Sequence, residues 1–240
     1  MCFHNREMTM VRQFSNLLAG LVPLVLLNVS TVSAMAEDLS AYQVVEQATN
    51  RVMAVVEEAP TYIDDDPERY FHQLEGALAD VVDYSGFSRS VMGPYVSKKR
   101  YKSLDTEGKK QMRAQVERFT EVMRNGLVRT YGKGLLAFGG SKIEIQRPDA
   151  PPSDERKVAV TQLIYSDAAT PYVIEYMMRR GKDGSWRVRN LRVESINLGV
   201  IYYNQFQAAA KDAGGDLDYV IDNWTAPPEE AEATEIAESS

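Results

Sequence analysis

Three runs of alternating apolar residues, Lys157 to Tyr165, Tyr172 to Arg180 and Ser185 to Val193, restrict the fold of this chain more than any other feature. They are separated by Ser-Asp-Ala-Ala-Thr-Pro and by Gly-Lys-Asp-Gly, a strand-turn-strand-turn-strand pattern. A pleated strand sends successive side chains to opposite sides, so Tyr172, Ile174, Tyr176 and Met178 share one face while Glu175 and Arg179 share the other. The Asp183-Gly184 pair is the turn chemistry of a tight antiparallel hairpin. The result is a meander with one oily face and one wet face. The oily face must be covered by helices alone, or by helices and a ligand.

The flanking segments supply helices. Ser40 to Glu58 carries Ala41, Val44, Val45, Ala48, Val52, Val55 and Val56 at steps of three and four and closes at Pro60. Asp66-Pro67 opens a second helix with the stripe Tyr70, Leu74, Leu78, Val81 and Val82. A short helical piece from Asp83 stops at Gly93-Pro94, and a basic segment follows from Tyr95 to Lys102. The longest helix spans about Asp105 to Tyr131, with Met112, Val116, Phe119, Met123, Leu127 and Tyr131 inward and Gly132-Lys133-Gly134 as its stop. It is about 40 Å long. Gly139-Gly140 leads into a first strand from Lys142 to Arg147. After the meander, Leu198 to Lys211 is helical, and Asp216 caps a last short helix through Trp224.

The two ends read differently from the body. Arg6 and Arg12 precede an apolar run, Leu17 to Val29, that falls short of the ~20 residues a membrane span needs, and Ala34-Met35-Ala36 is a small-x-small cleavage site. Residues 1–36 therefore read as a secretory signal peptide; a retained anchor would need a longer apolar core. Residues 226–240 are rich in Pro, Glu, Ala, Thr and Ser and read as a disordered acidic tail. Between them, residues 37–225 suffice for one domain. Of 27 basic and 34 acidic residues, five acids lie in the tail, which leaves the body only mildly acidic and gives no sign of a nucleic-acid partner. The one cysteine, Cys2, lies in the signal segment, so the exported chain offers no disulfide, thiol nucleophile or thiolate metal site.

Several segments resemble the MlaC family, periplasmic phospholipid carriers also known as toluene-tolerance proteins. They are Asp83-Tyr84 through Val91-Met92-Gly93 with Tyr95, the long helix with Phe119, Leu127 and Tyr131, and Trp186 through Leu198 running on to Asn204-Gln205-Phe206. The resemblance covers the chain from residue 37 to about Trp224. Two departures stand out: the family usually has glycine where Ser195 stands, leaving a tighter or re-angled strand-to-helix corner open, and commonly glutamine where Lys109 or Lys110 falls. The resemblance implies an α+β fold, a four-stranded antiparallel twisted sheet of NTF2-like kind packed against helices, with a deep apolar cavity between. It implies a monomer that holds a diacyl phospholipid. It also implies exchange of that lipid between an inner-membrane Mla-type ABC transporter complex and an outer-membrane MlaA-type lipoprotein complex, maintaining outer-membrane lipid asymmetry.

On that reading the acyl chains lie among Val160, Ile164, Tyr172, Ile174, Tyr176, Met178 and Val188 of the sheet and Met92, Phe119, Met123 and Leu127 of the helices, with Tyr95 and Tyr101 at the mouth. Methionine suits chains of varied shape. The plainer reading, a core filled by these same side chains, stays open. Lys98, Lys99, Arg100 and Lys102 meet a lipid phosphate, draw the chain to an anionic partner or membrane surface, or form an ordinary solvated face. No cofactor or metal is expected. Catalysis has few candidates: His72 stands alone in the exported chain, Asp83 reads as a helix cap, Glu175 faces away from the oily side, and no nucleophile, phosphate-loop or dinucleotide motif occurs. An NTF2-like isomerase or dehydratase and a passive periplasmic adaptor with a filled core remain as alternatives.

Overall fold

The computed structural model describes residues 39–147, 156–165 and 170–225. The expected signal peptide, the tail from residue 226 and the connections 148–155 and 166–169 lie outside them.

Helix α1, Ala41–Glu58, starts at a capping box in which Ser40 accepts from the Gln43 amide and the Gln43 side chain reaches back to Ser40. Helix α2, Pro67–Leu78, is capped by Asp66 with proline in its first turn. Val81 and Val82, expected on its stripe, lie past its end. Val188 donates to the Val81 carbonyl at 2.8 Å and Asp83 donates to the Val188 carbonyl at 3.0 Å, so this segment runs along the sheet instead. Helix α3, Tyr84–Met92, is capped by Asp83 and ends at Gly93, whose φ of 54° favours glycine. Helix α4, Lys98–Ser103, is the basic segment.

Helix α5, Thr106–Leu135, is 30 residues long and does not stop at Gly132. A β-carbon at Gly132 would stand 2.8 Å from Leu74 Cδ1, and the Tyr70 hydroxyl donates to the Gly132 carbonyl at 2.8 Å. The glycine therefore lets α2 pack close against α5 rather than ending the helix. Helix α6, Leu198–Asp212, is capped by Asn197, and helix α7, Leu217–Asp222, by Asp216.

The sheet consists of β1, Lys142–Gln146, β2, Lys157–Tyr165, β3, Tyr172–Arg180, β4, Trp186–Val193, and β5, Ile196–Asn197, in sequential antiparallel order. It has five strands where the resemblance implies four. Glu194 takes a positive φ of 53°, which folds Ile196 and Asn197 back beside Val193 and Arg192 before α6 begins. Its carboxylate accepts from the Val173 N–H at 2.7 Å, which ties the corner to β3. The left-handed position falls on Glu194, not on Ser195.

Buried side chains among the described residues gather in three clusters. One joins α1 to the sheet, one joins α1 and α2 to the C-terminal half of α5, and the largest joins α3, α5, α6 and α7.

Candidate functional site

Strand register sets the apolar face. Val160 pairs with Tyr176, Ile164 with Tyr172, and Met178 with both Val158 and Val188. All seven expected sheet residues therefore share one side, as period-two alternation requires. A bulge between Met177 and Met178 leaves Arg189 as the extra residue of β4, so that Val188 before it and Leu191 after it both point to this side.

Half of this face is closed. Ala41, Val45 and Ala48 of α1 pack with Val160, Met178 and Val188 into one buried cluster. A polar pair interrupts it: the Tyr176 hydroxyl donates to Gln162 Oε1 at 2.6 Å, and Thr49 donates to the same oxygen at 3.4 Å. Burial pushes the Tyr176 phenol above its ordinary pKa. Its hydroxyl is a fixed donor, available neither as a base nor as a nucleophile.

The other half is not closed. Tyr172, Ile174, Leu191 and Val193 are each half-buried, and so are Leu127 and Tyr131 on α5. Leu127 and Tyr131 from the helix, and Leu191 and Ile196 from the sheet, border the same large cluster. Just past α5, Phe138 meets the Tyr172 ring edge-on at 5.5 Å. This border of the large cluster, the seam, is apolar and incompletely shielded on both its sheet side and its α5 side.

The helical residues expected at the site are divided differently. Met92, Phe119 and Met123 sit inside the large cluster with Tyr202 and Phe206, apart from the sheet residues packed under α1. Phe119 meets Phe206 at 4.9 Å and Trp224 at 5.2 Å. Tyr95 packs edge-on against Phe206, and the Tyr101 hydroxyl accepts from Arg113 at 2.7 Å. Only Leu127 comes to the seam. Sequence reasoning missed Leu191, Tyr131 and Ile196 as seam residues and Tyr202, Phe206 and Trp224 as the cluster's aromatic centre; the four-residue steps Leu198, Tyr202, Phe206 and Ala210 on α6 were the signal available for the latter.

Lys98, Lys99, Arg100 and Lys102 are all exposed on α4. Arg100 also lines a small hollow of about 190 Å³ with Tyr95, Met112 and Gln115. A second hollow of about 550 Å³ opens on the opposite side of the sheet from the α1 cluster, over Ala159 and Met177. Neither is lined by Ile174, Leu127 or Tyr131, and the deep apolar cavity implied by the resemblance is not one of these two.

Groups suited to catalysis are committed elsewhere. Asp83 accepts from the Gly86 N–H at 2.8 Å and from Arg189 at 2.6 Å, and Glu175 pairs with Arg192 at 2.5 Å. His72 is exposed on α2. Among the described residues no group of three histidine, cysteine or acidic side chains could hold a metal, and no helix is long and apolar enough to cross a membrane.

An α+β protein with an antiparallel meander has known counterparts. The family model described as MlaC protein matches residues 46–226, and the chain belongs to that family. The toluene tolerance protein ttg2D of Pseudomonas putida is 27% identical over 199 residues, covering 83% of this chain and 85% of that protein. A phospholipid-binding protein from Ralstonia solanacearum, solved with a phospholipid bound, shares the fold with a TM-score of 0.59 at 18% identity, over 77% of this chain and 94% of that one.

Proposed function

We propose that the chain is a periplasmic phospholipid carrier, exported by cleavage after residue 36, that moves diacyl lipid between an outer-membrane lipoprotein complex and an inner-membrane ABC transporter and so maintains outer-membrane asymmetry. The reading is supported by membership of the MlaC family and by the phospholipid-bound relative of the same fold. The observation that carries it is the half-closed apolar face, with Ile174, Leu191, Leu127 and Tyr131 each left half-buried at one seam.

The physical task is to hide hydrocarbon. Each buried methylene contributes about 0.8 kcal/mol, so two sixteen-carbon tails represent more than about 20 kcal/mol of gross transfer free energy. Only the difference from the bilayer the lipid left counts as affinity. The acyl chains enter by parting α5 from the sheet at the seam and run toward Ile164, Tyr172 and Tyr176, while the head group stays at the surface. Release follows when a docked partner favours the parted state. Met92, Phe119 and Met123 lie behind the seam, in the packed cluster that holds α5 to α3 and α6. No step requires chemistry, and the chain is not an enzyme on this account.

Native mass spectrometry of protein purified from its periplasm, followed by organic extraction, tests this directly. A bound diacyl lipid is expected, and Ile174→Asp and Leu127→Asp should each lose it while keeping the helical content. Clean apoprotein would return the choice to an enzyme or a filled-core adaptor. Full loading in both variants would remove the seam from the account.

A further inference from the structure

The sheet's second face carries an arrangement that the carrier function does not use. Lys157 pairs with Arg179 across β2 and β3, and Arg179 pairs with Arg187 across β3 and β4, so three cations stand in one cross-strand row. Like charges directly opposite each other destabilise a strand pair. Asp183 answers Arg187 at 2.9 Å, but Arg179 is exposed and has no ion pair among the described residues. The middle cation of the row, Arg179, is thereby open to an anion from outside.

Next to the row the surface turns apolar. Ala159 and Met177 are register partners on this same face and floor the hollow of about 550 Å³, with Phe87 of α3 and Val200 of α6 in its walls. Val200 is 53% exposed, unusual for a valine on the first turn of a packed helix. The wall by α6 is fixed: Asn190 Oδ1 accepts from the Gly199 N–H at 2.9 Å, and a β-carbon at Gly199 would stand 2.6 Å from that oxygen. The floor is compliant, because Met177 is unbranched and its sulfur accepts only a long contact from Asn190 Nδ2 at 3.4 Å.

A greasy floor ending in an unanswered guanidinium defines the ligand. Arginine grips a carboxylate through two parallel N–H donors. An open hollow of about 550 Å³ suits a single acyl chain better than a whole diacyl lipid. We propose that this groove is a second binding site, for a single long-chain fatty acid whose carboxylate lies on Arg179 and whose chain lies over Met177 and Ala159. It is separate from the seam and does not depend on the seam holding phospholipid.

The test is titration of the exported chain with palmitate below its micelle concentration, read by calorimetry and by the ¹³C-methyl resonance of Met177, with lysophosphatidylcholine of the same chain length as a zwitterionic comparison. Saturable one-to-one binding that shifts Met177 is expected. Arg179→Glu and the milder Arg179→Gln should weaken it, the former by about tenfold or more, as loss of a charge-assisted hydrogen bond implies. Ile174→Asp should leave it unchanged whether or not that variant loses diacyl lipid. Absence of saturable binding, equal affinity in Arg179→Glu, preference for the zwitterionic lipid, or loss of palmitate in Ile174→Asp would each overturn the proposal. So would concentration-dependent dimerisation abolished by Val200→Asp with no palmitate bound, which would give the groove to a second copy of the chain.

Discussion

Tyr70 and Gly132 show how one pair of residues sets a helix crossing. The Tyr70 ring is fully buried and its hydroxyl donates to the carbonyl of Gly132, where a side chain would collide with Leu74. Tyr70→Phe removes the donor and strands a buried carbonyl, so stability should fall by about 1–3 kcal/mol, read as a lower urea midpoint at unchanged slope. Burial also pushes the Tyr70 phenol up to about 12. Below pH 10 the phenol is neutral in both folded and unfolded chains and contributes no pH dependence. Between about 10 and 12 only the unfolded chain ionises, so stability should decline across that window, less steeply in Tyr70→Phe. Residue-scale detail of this kind was only partly legible. Spacing put Tyr70 on an inward stripe, but nothing in Gly-Lys-Gly distinguishes a helix stop from a point of close approach.

At the scale of elements, the strands of the meander and the helix caps at Asp66, Asp83 and Asp216 could be read from the chain because alternation and capping are local. β5 could not, since two residues carry no periodicity and its existence depends on the backbone angle at Glu194. The hold of α7 on α5 was equally hidden, being a contact between distant segments. Asp218 accepts from Gln115 at 2.9 Å, from Arg118 at 2.5 Å and from Gln111 at 3.4 Å, and Arg118 also binds Asp222. These donors, Gln115 first, hold the Asp218 carboxyl below its ordinary value of 3.8. A depressed carboxylate stabilises the fold above its unfolded pKa and loses that contribution as pH falls through the folded one. Trp224, packed on Phe119 and Phe206, reports the outcome. In a Trp186→Phe background, tryptophan emission should shift to the red below about pH 3.8. Asp218→Asn should flatten that acid transition and cost a modest amount of stability at neutral pH, because the carboxylate is partly exposed. An identical acid profile in the variant would detach Asp218 from the hold of α7. Helix α4 carries the separate prediction for docking: reversing Lys98, Lys99, Arg100 and Lys102 to glutamate should slow lipid transfer to acceptor complexes without emptying the protein, and should do so most at low salt. Transfer at the wild-type rate would remove α4 from the docking surface.

For the whole molecule, periodicity reveals which side of each element is greasy but not which greasy sides meet. That is why Val160, Met178 and Val188 were correctly grouped on one face, while Met92, Phe119 and Met123 were assigned to the same space and instead form the centre of another cluster. Leu127 and Tyr131 of α5 and Leu191 and Ile196 of the sheet border one cluster at the seam, and the proposed carrier opens there rather than keeping a permanent hole. The measurement that tests this most directly is photolabelling with a diacyl phospholipid bearing a diazirine in one acyl chain, followed by mapping of the adducts. The account predicts adducts on Ile174, Leu191, Leu127 and Tyr131. Adducts confined to Met177, Ala159 and Phe87 on the sheet's other side, or to the exposed surface of α4, would contradict it.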